Sequence, residues 1–233
     1  MRPSVGRDGG VPLERLAFEV TRADDPDSPV QRVYWVDQVH GTQVRTVDGV
    51  GEGEIVGPSG RPTSPSVVAV CAGTGDGLVA SAPSTCLAVL TADCASVALG
   101  SPEGVFGTVH AGWRGLVAGV VEEAVEVMRS SGASDVVGAL GPCIHPGCYE
   151  FGEGDLDTVA AVYGDRVRGR TTTGRPALDL PAAVSAALAA SGAEETAGSS
   201  SCTACSERYF SYRARRDPGR QALVVWAQAS PPP

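Results

Sequence analysis

Residues 105–115 have the sequence VFGTVHAGWRG, an apolar and β-branched run that ends in His110 and a glycine-containing segment. Such a run predicts a buried strand. Apolar residues then recur at helical spacing over 116–128, with charged residues on the opposite face, which predicts an amphipathic helix ending near Gly132. We therefore expect a strand, a loop over 111–115 and a helix, with His110 where the strand ends.

Further strand-like runs lie on both sides of this segment, each bounded by Gly, Pro or Ser. They are residues 33–39, 67–71, 87–99 in two pieces, and 222–227. Helical patterns occupy 155–163 and 181–190, the second opened by Asp179 and closed by Gly192. Residues 194–201 are predicted to be a small-residue loop. Strands and helices mix without regular alternation, so we predict an α+β fold of mixed β-sheets with flanking helices.

The chain has 233 residues, of which 42% are hydrophobic and 19% charged, and this fits one compact domain. Residues 1–30 are rich in Gly, Pro, Arg and Asp and are predicted to be loosely ordered, with 13–20 able to form an edge strand. Residues 31–233 would form the catalytic domain. Apolar runs are too short to cross a bilayer and no apolar signal core follows residue 1, so we expect a cytoplasmic protein without membrane contact.

The charge distribution argues against a nucleic-acid polymer as partner. The formal net charge is −9, and no basic stripe is present to neutralise a phosphate backbone. The chain contains neither Lys nor Asn, which excludes a Walker lysine, a Schiff-base lysine and a Cys-His-Asn triad. Any bound anion must therefore be met by Arg or by backbone N–H groups.

Three potential metal ligands each lie at the end of a strand-like segment. They are His40 in QVHG, Cys94 in TADC and His110 in HAGWRG. Two imidazoles and one thiolate suit zinc, and three protein ligands leave a fourth position for water or substrate, as in catalytic sites. A single His or Cys is more often a packed or surface residue, but strand ends next to glycine are positions where functional residues concentrate.

Five motifs, in the same order along the chain from about residue 30 to the end, together resemble the laccase-domain family, also called the polyphenol oxidase or YfiH-like family. The motifs are QVHG (38–41), TADC (91–94), HAGWRG (110–115), GPCI with CYE (141–144 and 148–150), and CT with FSYR (202–203 and 210–213). The resemblance implies a YfiH-like fold in which His40, Cys94 and His110 bind zinc.

The activity that the resemblance implies is phosphorolysis of adenosine, inosine and 5′-methylthioadenosine, together with deamination of adenosine. Purine nucleosides and phosphate would be the partners, and nothing in the sequence predicts the oligomeric state. The older family name leaves copper open as the metal. However, a multicopper cluster needs many His in paired motifs, and this chain has three His in total. Zinc is therefore the expected cofactor.

Candidate catalytic residues surround these ligands in the sequence. Arg114 and the backbone N–H groups of 111–115 are expected to face an anion, phosphate or a substrate hydroxyl, beside His110. Asp76 or Asp93 would move protons, although an Asp before Gly is usually a turn former. Substrate-binding arginines would be Arg114, Arg45 and Arg213, and the last two are otherwise surface ion-pair partners. Deamination would need water activated by zinc.

Several residues depart from the family pattern. Ser96 stands where Pro is common and His145 where Gly is common, while Cys71, Cys86 and Cys205 look like additions. His145 either approaches the site or is a surface residue.

The CxxC formed by Cys202 and Cys205 could join Cys143 and Cys148 in a four-thiolate zinc site. The gap between Cys143 and Cys148 is wide for a zinc ribbon, so ordinary buried thiols are the default interpretation and the four-thiolate site is the alternative.

Two other classes of function stay open from the residues. One is a metal-free cysteine hydrolase or amidase acting on an amide of a cell-wall precursor, with Cys94 as nucleophile and His110 as base. The other is a non-catalytic, zinc-stabilised protein whose fourth metal position is filled by a protein group. Metal content and turnover of purine nucleosides separate these from the phosphorylase.

Overall fold

The structure is a computed structural model that describes residues 16–19, 32–47, 68–82 and 85–227. The strands of this part of the chain are β1 (Leu16–Glu19), β2 (Arg32–Asp37), β3 (Val44–Val47), β4 (Val68–Thr74), β5 (Gly77–Ala80), β6 (Cys86–Thr91), β7 (Ala95–Gly100), β8 (Phe106–Ala111), β9 (Val137–Leu140), β10 (Arg168–Arg170), β11 (Pro176–Leu178), β12 (Glu194–Gly198) and β13 (Gln221–Ala227). The helices are α1 (Trp113–Ala118), α2 (Val120–Ser130), α3 (Glu153–Tyr163), α4 (Leu180–Ser191) and α5 (Tyr212–Arg215).

The strands form two large mixed sheets and one small ribbon. A five-stranded sheet has the order β1-β13-β6-β2-β4, and a six-stranded sheet has the order β12-β9-β7-β8-β5-β3. Strands β10 and β11 pair separately as an antiparallel ribbon. The single α+β domain of mixed sheets with flanking helices is therefore confirmed.

The six-stranded sheet lies between two hydrophobic cores. On one face, Leu78 and Phe106 pack with residues of the five-stranded sheet such as Leu87. On the other face, Val97 and Val109 pack with the apolar sides of α2 and α4. Because side chains alternate along a strand, adjacent residues of β5, β7 and β8 supply both cores. The result is three layers, in the order sheet, sheet, helices.

The helix after β8 differs from its prediction. It begins at Trp113, so residues 113–115 are helical rather than loop, and it breaks at Gly119 into α1 and α2. Gly119 has φ 91°, in the left-handed region that glycine adopts without a steric penalty, and its N–H bonds the carbonyl of Leu116. The helical pattern continues across this break, which is why periodicity alone predicted one helix.

The other predicted elements have mixed outcomes. The strands at 33–39, 67–71, 87–99 in two pieces, and 222–227 are confirmed as β2, β4, β6 with β7, and β13. The helices at 155–163 and 181–190 are confirmed as α3 and α4, and Asp179 caps α4 through Ala182 N at 3.0 Å. The loop predicted at 194–201 is wrong over Glu194–Gly198, which form β12 at a sheet edge. Edge pairing there needs only backbone groups, so the exposed sequence EETAG forms a strand without an apolar pattern.

The N-terminal prediction falls almost entirely outside the described residues. Of 1–30, only Leu16–Glu19 are described, and they pair with β13 as the edge strand expected within 13–20. No helix of the described residues is long and apolar enough to cross a membrane.

Candidate metal centre

His40, Cys94 and His110 come together from three separate segments. His40 follows β2 of the five-stranded sheet, Cys94 lies in the turn between β6 and β7, and His110 lies on β8. Their ligand atoms all lie within 4.8 Å of one another, and Cys94 Sγ is 3.7 Å from His40 Nε2. The imidazole rings of His40 and His110 meet edge to face, with centroids 4.7 Å apart. This group can hold a metal ion, and its donor set suits zinc.

Asp76 lies behind this group and orients two of its members. Its Oδ1 accepts a hydrogen bond from His110 Nδ1 at 2.8 Å, which directs Nε2 of His110 towards the other ligands. The backbone N–H groups of Val39, His40 and Gly41 also donate to its two oxygens, at 3.2, 2.9 and 2.7 Å. Asp76 is fully buried. A carboxylate that holds a ligand imidazole in this way is common in zinc sites.

The ionisation of the group supplies a Cys94 thiolate but keeps His110 protonated, so metal binding would displace a proton from His110. Burial opposes the Cys94 thiolate, but hydrogen bonds from His110 and His40 outweigh it and lower the pKa of Cys94 to about 6. For His110, burial disfavours the imidazolium, whereas hydrogen bonds to Asp76 and Cys94 raise its pKa to about 9. For Asp76, burial raises the pKa, but the hydrogen bond from His110 and those from backbone N–H groups lower it overall. A thiolate is the form of cysteine that binds metals.

Backbone strain concentrates at this group. Of the described residues other than glycine, His40, Asp93 and Arg216 have positive φ, with 60° at His40 and 98° at Asp93. Such conformations cost free energy and persist where the surroundings enforce them. The hydrogen bond from His40 N to Asp76 holds the backbone of His40 in its positive-φ conformation. The hydrogen bonds that the Asp93 carboxylate accepts hold the backbone of Asp93 in the same way.

Asp93 connects the Cys94 turn to the C-terminal part of the domain. Its carboxylate accepts hydrogen bonds from Thr203 Oγ1 and Ser211 Oγ, both at 2.7 Å, and from Arg213 N at 2.6 Å. Asp93 is 7% exposed, and its carbonyl accepts a further bond from Ile144 N at 2.9 Å. The carboxylates of Asp76 and Asp93 are thus both engaged by protein donors, and their proposed proton transfer stays a prediction.

A cavity of about 620 Å³ lies beside α1 and contains two of the three predicted arginines. Its lining residues are Trp113, Arg114, Glu150, Phe151, Gly152, Glu153, Asp155, Arg175, Pro176 and Arg213. Arg114 lies over the Trp113 ring, 4.3 Å from its centroid, and has no ion-pair partner among the described residues. Arg175 is paired with Glu150 at 2.7 Å. Arg114 is therefore the cation most available to an anion.

Both arginine-bearing helices begin next to the metal ligands. Trp113 and Arg114 follow Gly112, where an added Cβ would lie 2.6 Å from His40 Cδ2 and 3.4 Å from Cys94 Sγ. The Arg213 N–H bonds Asp93, the residue before Cys94. The structure does not bring Arg45 to this cavity: its Nε donates to the carbonyl of Thr74 at 2.9 Å.

His145 lies away from the three ligands, beside a cluster of thiols. Its backbone N–H donates to Cys202 Sγ at 3.4 Å, and its half-buried ring has an Nε2 without a hydrogen-bond partner within the described ranges. Cys148, Cys202 and Cys205 form a second group whose sulfur atoms lie within 4.8 Å of one another. Cys143 is fully buried and not in this group, so the four-thiolate alternative is not formed and three thiols meet.

Sequence reasoning missed several residues around the site. Thr203 and Ser211, which bind Asp93, stand inside the motifs CT and FSYR, so the ordered motifs were the available signal. Gly112 lies inside HAGWRG, where its close approach to His40 explains why a side chain is absent. The cavity residues Phe151 and Arg175 had no signal of their own, because only the fold brings them to α1.

Comparison with known proteins gives a consistent set of relatives. A purine nucleoside phosphorylase of Streptomyces coelicolor is 38% identical, over 93% of this chain and 89% of its own length. One of Streptomyces griseus is 41% identical, over 83% of this chain and 74% of its own length. Among solved structures, YlmD of Geobacillus stearothermophilus superposes with a TM-score of 0.65 and 29% identity, covering 84% of this chain and 74% of that one.

A family model described as multi-copper polyphenol oxidoreductase laccase matches residues 20–228, which include all three candidate ligands and both cavity arginines. The fold, the ordered motifs and the relatives agree with this match, so the chain belongs to the laccase-domain, or YfiH-like, family.

Proposed function

We propose that this protein is a zinc-dependent purine nucleoside phosphorylase. The observation that carries the proposal is the group of His40, Cys94 and His110, together with a cavity lined by Arg114 of the helix that follows His110 and by Arg213, whose N–H binds Asp93. Relatives that are 38% and 41% identical are named purine nucleoside phosphorylases. The cavity volume of about 620 Å³ lies within the usual range for small-molecule sites.

The donor set fits zinc better than a copper cluster. Two imidazoles and one thiolate lie within 4.8 Å of one another, and the Cys94 pKa of about 6 makes the thiolate available at neutral pH. His145, the third His of the chain, lies beside the thiol cluster and is not part of this group. When bound, zinc supplies a Lewis acid that polarises a substrate oxygen or water.

Phosphorolysis needs an anion held close to a ribose that becomes oxocarbenium-like, and a leaving purine that accepts a proton. Arg114 is suited to hold phosphate, because its guanidinium is always charged and forms no ion pair with a described residue, although Glu153 and Asp155 line the same cavity. Arg213 provides a second cation at the cavity, anchored by its backbone N–H on Asp93. Asp76 keeps His110 oriented throughout. Trp113 and Phe151 give the cavity an apolar, aromatic wall for the nucleoside.

We extend the proposal to adenosine, inosine and 5′-methylthioadenosine as substrates and to deamination of adenosine. The support is the family membership together with a metal group beside a cavity of sufficient size. All seven cysteines are free thiols, which supports the cytoplasm as the place of the reaction.

The test is chromatographic. Zinc-loaded protein is incubated with each nucleoside, with and without phosphate, and the products are separated. We expect phosphate-dependent release of the free purine base and a ribose 1-phosphate, and phosphate-independent conversion of adenosine to inosine. Absence of base release from every purine nucleoside in the presence of phosphate would refute the phosphorylase.

A metal-free cysteine hydrolase is the second candidate, because Cys94, His110 and Asp76 are linked in the order of a nucleophile, a base and an orienting carboxylate. It predicts a protein that carries no stoichiometric zinc and loses activity on alkylation of Cys94. A non-catalytic, zinc-stabilised protein predicts zinc without turnover of any purine nucleoside.

A further inference from the structure

We propose that Cys148, Cys202 and Cys205 form a second metal site, which binds a zinc ion for structural purposes. The three sulfur atoms lie within 4.8 Å of one another, and Cys148 Sγ is 3.2 Å from Cys205 Sγ. Zinc–sulfur bonds of about 2.3 Å place tetrahedral sulfurs about 3.8 Å apart. Small rotations of the side chains would therefore let all three thiolates reach one ion.

The fold assembles this cluster from two distant segments. Cys148 ends a short 3₁₀ turn, Pro146–Cys148, while Cys202 and Cys205 flank a tight turn 57 residues later along the chain. An isolated parallel β-bridge joins the backbones of Cys143 and Cys202. Thr203 N also donates a hydrogen bond to the Cys143 carbonyl at 3.0 Å. Since backbone contacts hold the segments together, the thiols meet without needing a metal to collect them.

Backbone N–H groups converge on one of the sulfurs. Cys202 Sγ accepts a hydrogen bond from His145 N at 3.4 Å, and the backbones of Cys205 and Ala204 also donate to it. Several N–H donors around one sulfur stabilise its anionic form, and the thiolate is the form that binds a metal. A buried thiol that stays protonated would gain little stability from these N–H donors. Cys148 differs from Cys202, because burial and the neighbouring Cys205 raise its pKa to about 12, so zinc binding would displace the proton of that thiol.

The cluster is open on one side, since Cys205 is exposed. Three thiolates suit zinc, which accepts sulfur donors, and they leave the fourth tetrahedral position to solvent, whereas most structural zinc sites have a fourth protein ligand. The competing chemistry is a disulfide between Cys148 and Cys205, which would consume two of the three ligands and exclude the metal.

The position of the cluster indicates what the ion would do. Thr203, between the two cysteines of the turn, donates to Asp93, and Asp93 directly precedes Cys94. An ion bound to the cluster would hold residues 202–205 in place, and through Thr203 it would support the turn that presents Cys94. The second site would thus stabilise the first without touching substrate.

The experiment measures zinc in the full chain, purified without chelator under reducing conditions from zinc-supplemented cells. We expect two zinc ions per chain in the wild type and one in Cys205→Ser, an exposed position where folding tolerates the change. Cys148→Ser serves as a second variant and should also hold one. Cys71→Ser, a half-buried cysteine outside both clusters, is the matched control and should hold two.

Cobalt substitution gives an independent readout, because thiolate-to-cobalt absorption depends on the number of sulfur ligands. Cys205→Ser should lose most of this band, whereas Cys94→Ser should lose the smaller part. Unchanged zinc content in both Cys205→Ser and Cys148→Ser would overturn the second site. A wild type that holds one zinc ion per chain after this purification would also overturn it. Neither result would affect the first centre, whose zinc is measured separately as the ion retained in Cys205→Ser.

Discussion

The buried carboxylate of Asp76 accepts a hydrogen bond from His110 Nδ1 at 2.8 Å and, through the same oxygen, one from His40 N at 2.9 Å. One oxygen atom therefore orients the ring of one candidate ligand and the backbone of another. This relationship links the two sheets, since His40 follows a strand of one and His110 belongs to the other. It makes Asp76 a positioning residue, and its removal should weaken metal binding.

Asp76→Asn should weaken zinc binding roughly 10- to 100-fold, as is usual when the carboxylate behind a ligand imidazole is lost. The amide has one acceptor oxygen for four donors, so the His110 ring loses its fixed orientation. The measurement is zinc competition with a chromophoric chelator. Asp179→Asn is the control, because Asn caps a helix about as well as Asp and Asp179 caps α4 away from the ligands. Equal zinc affinity in both variants would contradict the role assigned to Asp76.

His40→Ala, Cys94→Ala and His110→Ala should each abolish phosphate-dependent base release and remove the zinc of this centre. With two ligands left, a tetrahedral site is incomplete. The assays are product chromatography and metal analysis on the same samples. Cys71→Ala, which removes a thiol outside this centre, should retain both properties. Full activity in any of the three ligand variants would show that the metal group is not the catalytic centre.

Gly112→Ala should disrupt the centre, whereas Gly152→Ala should not. Both glycines precede a helix with nearly the same backbone, φ −68° and ψ 154° against φ −67° and ψ 142°. An added Cβ at Gly112 would lie 2.6 Å from His40 Cδ2, while at Gly152 nothing lies within 4 Å. His40 must move, so zinc affinity and turnover should fall at least roughly 10-fold. The same loss of zinc affinity in both variants would indicate a backbone effect instead; the comparison is made on zinc affinity because Gly152 lines the cavity.

Arg114→Ala should raise the KM for phosphate about 10- to 100-fold, because a hydrogen bond to a charged group contributes about 1.5–3 kcal/mol. Zinc content should not change. The measurement is the initial rate as phosphate is varied at saturating nucleoside. Arg129→Ala on the exposed side of α2 is the matched control. An unchanged KM for phosphate would remove Arg114 from the anion site.

In chelator-treated protein, alkylation of Cys94 should accelerate from pH 5 and level off above about pH 7, because its pKa is lowered to about 6 and the thiolate is the reactive form. Cys86, whose pKa burial raises to about 12, should stay unreactive over the same range. Peptide mass spectrometry after timed iodoacetamide treatment follows each site. Added zinc should protect Cys94. Modification of Cys94 only above pH 8 would contradict the lowered pKa.

Local patterns in the sequence predicted most of the elements correctly, because burial and backbone preference act over a few residues. Helix α4 is an example, since Asp179 and Gly192 mark its ends in the sequence and cap it in the structure. The break at Gly119 and the edge strand β12 were not predicted. A single glycine within a continued apolar pattern gives no clear stop, and an edge strand of exposed small residues has no hydrophobic pattern to detect.

The sequence by itself determined the class of fold and the three candidate ligands, since strand and helix periodicities and the ordered motifs are properties of neighbouring residues. Only the tertiary structure decided that Asp76 supports His110, that Asp93 binds Thr203 110 residues away, and that Arg114 faces a cavity while Arg45 does not. It also decided that Cys148, Cys202 and Cys205 meet without Cys143. These relationships depend on the order of strands in two sheets, and that order is fixed by packing between residues far apart in the chain.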